Sequence, residues 1–433
     1  MDSLHRYTLT TIARWMGWCH DYCMTSGPTA VPESERAHLE TVMTTEPFSV
    51  VSVLDTILET ALAERVSDVH LSTQKDGLVI RFRVDGVMET VTTINYSHQE
   101  ELIARIKVLA ELRTDEHFIA QDGRFSFQSK NHGAVEVRVS IVPIHLGPNC
   151  VLRILRSDAA IELSALGLST ADLAQVQRAI HNPYGLIIAT GPTGSGKTTT
   201  LYGLLREINT PTRTVITIED PIEYVLSGAN QIAVNNQVGL NFANGLRSIV
   251  RQDPDVIMVG EVRDGETAKL ATTAALTGHI VLTTLHTNDA PSALTRLVEM
   301  GVEPYLVAST VSVIIAQRLV RRVCPDCKVE VSLSEVERQR LLALSSSLTL
   351  PPTVCVAVGC SLCRGIGYRG RVALYEVCVV TSELRDMLIG RQPAFVLRQA
   401  AEKNGMGSLL TSGLRLVSAG ETSISEVLAS VYE

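Results

Sequence analysis

The stretch Leu186–Ile208, "LIIATGPTGSGKTTTLYGLLREI", decides how this chain folds. Its opening "LIIAT" suits a buried strand and its closing "TTTLYGLLREI" carries apolar residues at helical spacing. Between them stand Gly191, Gly194 and Gly196. A strand that turns through glycines into a helix leaves backbone N–H groups facing outward at the helix N-terminus, where they attract anions. Lys197 adds positive charge toward β- and γ-phosphates and Thr198 offers a hydroxyl to magnesium. The loop Gly191-Pro192-Thr193-Gly194-Ser195-Gly196-Lys197-Thr198, continued by Thr199, is therefore a cradle for a nucleoside triphosphate. What its hydrolysis serves must be read from the rest of the chain.

Outward from this loop, "TVITIED", "DVIMVGE" and "HIVLTTLH" are three more short apolar runs separated by helical segments. Such alternation predicts an α/β domain with a parallel sheet covered on both faces. Ligands gather beyond the carboxyl ends of such strands, so the residues after each run carry the chemistry. The second run ends in Glu219-Asp220-Pro221-Ile222-Glu223, where Pro221 stops the strand. A carboxylate there can orient or deprotonate an attacking water, and both Glu219 and Glu223 qualify. The third run closes with Gly260 and Glu261, whereas Asp255 stands at its opposite end. Glu261, not Asp255, is the residue expected to reach magnesium through water. The fourth run delivers His286 to the same edge, within expected reach of a γ-phosphate; His279, at its start, reads as structural.

Length and composition bound the remainder. The chain has 433 residues, more than one hydrophobic core usually organises, which predicts two large domains and a small third element. Aromatics make up 4% of residues while aliphatic side chains are plentiful, the composition of a globular α/β protein. The apolar run Tyr305–Ala316 falls short of the roughly 20 residues that cross a bilayer, and no apolar core with a small-residue cleavage site opens the chain. A cytoplasmic protein is expected. A net charge of −8 argues against a nucleic-acid partner.

Residues 1–48 show scattered charge without sustained period and are expected to form a short arm. Cys19 and Cys23 lie four apart there, and a small packed helix with buried thiols accounts for them better than a metal or redox site. Residues 49–157 change to a helix and alternating strands. In "LVIRFRVDGVM" Leu78, Ile80, Phe82 and Val84 alternate with Val79, Arg81, Arg83 and Asp85, and Asp85-Gly86 signals a hairpin. The strands "GRFSFQS", "AVEVRVSIVPI" and "CVLRIL" carry Arg124, Arg138 and Arg153 out of the sheet. This predicts a smaller α+β domain, joined by a linker over residues 158–184 to the nucleotide-binding domain of residues 185–433.

Within that second domain, "CPDC" and "GCSLC" supply Cys324, Cys327, Cys360 and Cys363. Four thiolates close a tetrahedral structural zinc site with no open position. The intervening residues 328–359 exceed the roughly 15–20 of a plain ribbon, so residues 320–378 are expected to form a small lobe. Cys355 and Cys378 are not expected to ligate. Residues 379–433 read as amphipathic helices punctuated by Gly390, Gly405, Gly407 and Gly420, a packing surface for an assembly.

Taken in order, "SDVH", "RFRVDGV", "QDGRFSF", "VEVRVSIVP", the phosphate loop, "TIEDPIEY", "LRSIVRQDPDVIMVGEVRD", "TGHIVLTTLHTNDA", "AQRLVRRVCPDC" and "GYRGRVALYEV" closely resemble the secretion ATPase superfamily. The nearest branch comprises the assembly ATPases of type II secretion systems and type IV pili. The resemblance implies a RecA-like P-loop core preceded by a PAS-like α+β domain, with ATP and Mg2+ bound between the two and Zn2+ held in a tetracysteine lobe. It implies a homohexamer peripheral to the inner membrane, working on a platform protein there, with a membrane-anchored cytoplasmic protein as a further docking partner. Glu223 resembles the family's catalytic glutamate, Glu261 its Walker B glutamate and His286 its phosphate-sensing histidine. Arg138 and Arg153, with Arg124, resemble arginines that the smaller domain presents to the nucleotide. Type II secretion is the leading function and type IV pilus extension the next. A nucleic-acid translocase is more distant, as the acidic total and the cysteine lobe weigh against it.

Overall fold

Strand alternation builds the first of two compact units, Met1–Leu155 and Arg156–Glu433. The computed structural model describes Arg36, Leu39, Thr41, Val42 and residues 48–155, 162–344 and 350–432, so the Cys19/Cys23 pair lies outside the described residues. In β1 (Asp68–Gln74) and β2 (Gly77–Val84) the side chains of Val69, Leu71, Leu78, Ile80 and Phe82 are fully buried. Helices α1 (Val50–Ala63) and α2 (Gln99–Leu109) add Leu54, Ile57, Leu58, Leu102 and Ile106 to the same core. Each such side chain contributes about 1.5–3 kcal/mol by leaving water. Strand β3 (Val87–Ile94) returns from β2 through Asp85-Gly86, whose φ angles of 49° and 89° are what a two-residue hairpin turn requires.

Strands β4 (Gln121–Ser129), β5 (Gly133–Ile144) and β6 (Gly147–Leu155) complete an antiparallel sheet of order β3-β2-β1-β6-β5-β4. The period of two that buries Phe125, Val137, Val139 and Leu152 sends their neighbours to the other face. There the register sets Arg83 opposite Asp68, Asp68 opposite Arg153, Arg153 opposite Arg138 and Arg138 opposite Arg124. Arginines far apart in sequence thus stand in one row. Of the expected arm, Leu39 is buried in this core, and Arg36 binds Glu64 at 2.6 Å and Glu89 at 2.9 Å.

The second unit begins with α3 (Thr170–Ile180) and is organised by a seven-stranded sheet of order β15-β12-β7-β11-β10-β8-β9. The quoted runs become β7 (Gly185–Thr190), β8 (Val215–Glu219), β10 (Val256–Val259) and β11 (Ile280–Leu285), all parallel and wholly buried. Three further strands were not evident in the sequence. The half-exposed β9 (Ala229–Ala233) lies at one edge, parallel to β8. Strand β12 (Val311–Val323) pairs parallel with β7, and β15 (Tyr368–Val379) pairs antiparallel with β12. One face is covered by α5 (Phe242–Ile249), α6 (Gly265–Leu276), α7 (Pro291–Glu299), α8 (Pro304–Thr310), α10 (Ser382–Ile389) and α11 (Ala394–Lys403). The other is covered by α3 and α4 (Lys197–Ile208).

Past the sheet's carboxyl edge, β12 and β15 continue as a two-stranded ribbon into a lobe. It holds α9 (Glu335–Leu344) and the antiparallel pair β13 (Val329–Ser332) and β14 (Thr353–Val356). Val320, Leu333, Leu341, Val354 and Leu374 share a core with Leu410, Leu414, Val417, Ile424 and Val427 of α12 (Leu409–Ser418) and α13 (Ile424–Tyr432). The last two helices therefore pack on the lobe of their own chain. Among the described residues no helix is long and apolar enough to cross a membrane.

Candidate nucleotide site and tetracysteine centre

The glycine loop follows β7 directly and its last glycine caps α4. Gly196 adopts φ 87° at that cap, and a Cβ there would stand 2.7 Å from Gln317 Nε2. At Gly191, φ 144°, a Cβ would stand 2.4 Å from the Gln317 carbonyl oxygen. Both positions exclude larger residues because β12 presses against the loop. Lys197 Nζ donates to the carbonyls of Gly191 at 2.8 Å and Pro192 at 3.0 Å, and Ser195 Oγ is buried without a hydrogen-bond partner. Burial pulls the Lys197 ammonium down to about 8; Glu261 opposes that shift and Arg318 adds to it. A buried cation in a glycine loop at a helix N-terminus, beside an unsatisfied buried hydroxyl, fits a phosphate chain.

Glu261 follows β10 and is held by the strands on either side. The N–H of Gly260 donates to Ile218 O at 2.8 Å, Thr284 Oγ1 to Gly260 O at 2.8 Å and the N–H of Val262 to Thr284 O at 3.1 Å. Its carboxylate lies 2.7 Å from Arg263 and 3.7 Å from His286 Nε2. Burial, then the Lys197 charge, lowers the His286 pKa below its ordinary value, which favours the neutral imidazole. Glu261, His286 and Lys197 thus form one electrostatic cluster at the carboxyl edge. Arg263 belongs to it as well. Its place two residues after Glu261 was visible in "GEVRD", but nothing in the spacing gave it a role.

Other acidic and imidazole groups are distributed differently. Glu219 is buried, accepting from Tyr202 Oη at 2.6 Å, Thr217 Oγ1 at 2.6 Å and Gln231 Nε2 at 3.2 Å. Glu223 lies four residues on, past the end of β8 and partly exposed. Asp255, at the opposite end of β10, accepts from the Thr214 N–H at 2.7 Å. His279 Nδ1 lies 2.8 Å from Ala274 O and closes the end of α6. Thr198 is exposed on the first turn of α4 and Thr199 is half-buried beside it.

In the first unit, the buried Asp68 carboxylate accepts from Arg153 Nε at 2.8 Å and lies 3.8 Å from Arg83; Arg124 lies 3.4 Å from Glu136. Arg138 sits between Arg153 and Arg124 in the row.

In the lobe, Cys324, Cys327, Cys360 and Cys363 bring their sulfurs within 4.8 Å of one another. Individual separations are 3.9 Å for Cys324 and Cys360, 3.7 Å for Cys327 and Cys363, and 3.7 Å for Cys360 and Cys363. Tetrahedral ligands at zinc–sulfur distances have sulfurs about 3.8 Å apart. The Cys363 sulfur also accepts from the N–H groups of Cys360 at 3.1 Å and Gly367 at 3.2 Å. Against the opposing effect of burial, these donors hold its thiol down at about 6. Cys355 and Cys378 stand outside the cluster.

A strand–glycine loop–helix with an acidic residue and a histidine on neighbouring strand ends defines a P-loop ATPase on a RecA-like sheet. The chain belongs to the family described as "Type II/IV secretion system protein", whose profile matches residues 44–429. It is 43% identical over 404 residues to "Type II secretion system protein E" of Pseudomonas aeruginosa, covering 93% of this chain and 79% of that one. It is 42% identical over 388 residues to "Type IV pilus assembly ATPase PilB" of Myxococcus xanthus, covering 88% and 68%. The solved structure of "the Pilus Retraction Motor PilT and Bound ADP" superposes with a TM-score of 0.61 at 26% identity, covering 87% of this chain and 96% of that one. The protein is a secretion ATPase.

Proposed function

We propose that this chain is the motor of a type II secretion system, a homohexamer at the cytoplasmic side of the inner membrane. Its hydrolysis of ATP drives addition of pilin-like subunits to a pseudopilus through an inner-membrane platform protein, with a membrane-anchored cytoplasmic protein as docking partner. The observation that carries the hydrolytic part of the reading is the Glu261 carboxylate, 2.7 Å from Arg263 and 3.7 Å from His286 beside Lys197, and the likeness to the Pseudomonas secretion protein supports the choice of system.

In this reading the loop of residues 191–199 holds the phosphates, and Thr198 with Glu261 would hold Mg2+, which would supply positive charge beside the β- and γ-phosphates. Glu223 accepts a proton from water as its oxygen bonds to the γ-phosphorus and the bond to the bridging oxygen breaks. Glu219 is occupied by its three hydrogen bonds, which favours Glu223. His286, neutral, faces the γ-phosphate. To Arg138 and Arg153 we assign stabilisation of charge on the transferred group, supported by the family resemblance and by their place in the arginine row. Zn2+ in the four-cysteine centre is structural.

The test is steady-state ATP hydrolysis by the wild type, Glu261→Gln and Glu223→Gln, with single-stranded DNA or with phospholipid plus the platform protein's cytoplasmic segment. Activity lost in both variants and stimulated only by the membrane components is expected. Stimulation by DNA alone, or a wild type no faster than its variants, would overturn the reading. The Myxococcus relative, nearly as similar as the secretion protein, supports pilus extension as a second reading. Stimulation by a type IV pilus platform segment and not by a secretion one would select it.

A further inference from the structure

The segment after β11 is pinned at three places. Thr287 N–H donates to Thr190 Oγ1 at 2.9 Å, on the residue that precedes the glycine loop. Asn288 O accepts from Arg318 Nη2 at 3.0 Å, on β12. Ala290 N–H donates to Glu376 Oε1 at 2.9 Å, on β15. Register places these anchors along one edge, since Leu285 pairs with Thr190, Thr190 with Ala316 and Ala316 with Glu376. The segment therefore arches from β11 across β7 and β12 to β15. His286 is its first residue.

The third anchor is unlike the other two. Glu376 is 1% exposed and its second oxygen accepts from Arg398 Nη2 at 2.9 Å. Arg398 lies on α11, binds Glu402 at 3.0 Å and stands 3.7 Å from Asp289, within the arched segment itself. Asp289 in turn accepts from Ser292 N–H at 2.9 Å at the start of α7. A buried carboxylate costs free energy unless it is paired, so Glu376 keeps its place only while Arg398 neutralises it.

We infer that Arg398 and Glu376 are positioning residues for the His286 segment, and that through them α11 sets whether His286 faces the phosphate cluster. The inference rests on the role proposed for His286. A displacement of α11 releases Asp289 and leaves Glu376 a buried carboxylate without its cation, so that the Glu376 side chain and the arch it anchors can move, while the glycine loop keeps its own contacts. Helix α11 is thereby a lever on hydrolysis and not on nucleotide affinity.

The experiment is a double-mutant cycle in the full-length assembled protein with Arg398→Ala, His286→Ala and the pair, measuring kcat for ATP and Kd for ADP. Arg398→Ala should lower kcat on the order of 10- to 100-fold, the range of a small misplacement, with the ADP Kd unchanged. In the His286→Ala background the same change should cost less than about twofold, because the group it positions is already absent. Glu376→Gln, which still accepts from Ala290 but loses its ionic hold on Arg398, should fall between and serves if Arg398→Ala fails to assemble. Additive losses, an unchanged kcat, or a Kd weakened as much as kcat would overturn the inference. So would a fully active His286→Ala, which would leave the hydrolytic role of Glu261 standing.

Discussion

Tyr202 on α4 donates its hydroxyl to Glu219 at the end of β8 across 2.6 Å, closing a set that includes buried Thr217 and half-buried Gln231. The two glutamates that begin and end "EDPIE" therefore have different work. A carboxylate with three donors already bound is poorly disposed to take a proton from water, whereas Glu223 stands beyond the strand. Burial, with Glu219 beside it, also raises the Tyr202 phenol above its ordinary pKa, keeping it a donor at any working pH.

Replacing Glu219 by Gln should accordingly cost about 1–3 kcal/mol of stability, since a buried carboxylate that accepts from three groups gives up its charge and one accepting oxygen. Its kcat should stay within a few fold of wild type. Glu223→Gln should do the reverse, losing on the order of 100-fold or more in kcat with the smaller change in thermal midpoint. Paired melting curves and turnover numbers check this, and a Glu219 variant that is stable but inactive would exchange the roles.

Lys197 gives a pH dependence with a definite sign. Its pKa in the free protein is about 8, below the ordinary 10.5, because burial penalises the ammonium. Phosphates beside it favour the charged form and raise the pKa, so binding takes up a proton wherever the free lysine has lost one. Nucleotide affinity should be flat below about pH 8 and fall up to tenfold per unit above it. Titration calorimetry near pH 9 in buffers of differing ionisation enthalpy should show that uptake; identical heats would contradict the assignment.

The sheet's central strands and the site around them were legible because buried parallel strands are short unbroken apolar runs. Residues such as Glu261 and His286 followed from their position just after each run. The edge strands were not legible for distinct reasons. Strand β9 is polar and half-exposed, so "ANQIA" carries no period. Strand β12 shares the run Tyr305–Ala316 with α8, and a mostly apolar run without a clear period does not reveal where φ and ψ change from helix to strand, here at Val311. Register was invisible throughout. It alone aligns Arg83, Asp68, Arg153, Arg138 and Arg124, and it alone brings Glu376 to the arch that carries His286.

The cysteine centre should hold one zinc per chain, and the lobe should depend on it. Its own core is small, and small domains lean on metals for stability. Cys363→Ser should release the metal and speed amide exchange in β13, β14 and α12, while exchange in β7 and β10 stays slow. Metal analysis with hydrogen-exchange mass spectrometry measures both, and a lobe equally protected without metal would remove zinc's structural role.

Asp68 is the one acidic member of the arginine row, and that makes the last prediction. Neighbouring strands lie about 4.8 Å apart, so Arg153, Arg138 and Arg124 crowd like charges along one line. Asp68 offsets them from the buried side through its bond to Arg153. Asp68→Asn keeps the shape and removes the charge, taking the carboxylate away from Arg153 and Arg83. A charged hydrogen bond is worth about 1.5–3 kcal/mol, so amide exchange in β1 and β6 should accelerate by one to two orders of magnitude at low salt. Added salt screens the arginines from one another and should recover part of the loss. Equal protection of wild type and variant at low ionic strength would mean that Asp68 is not what holds the row together.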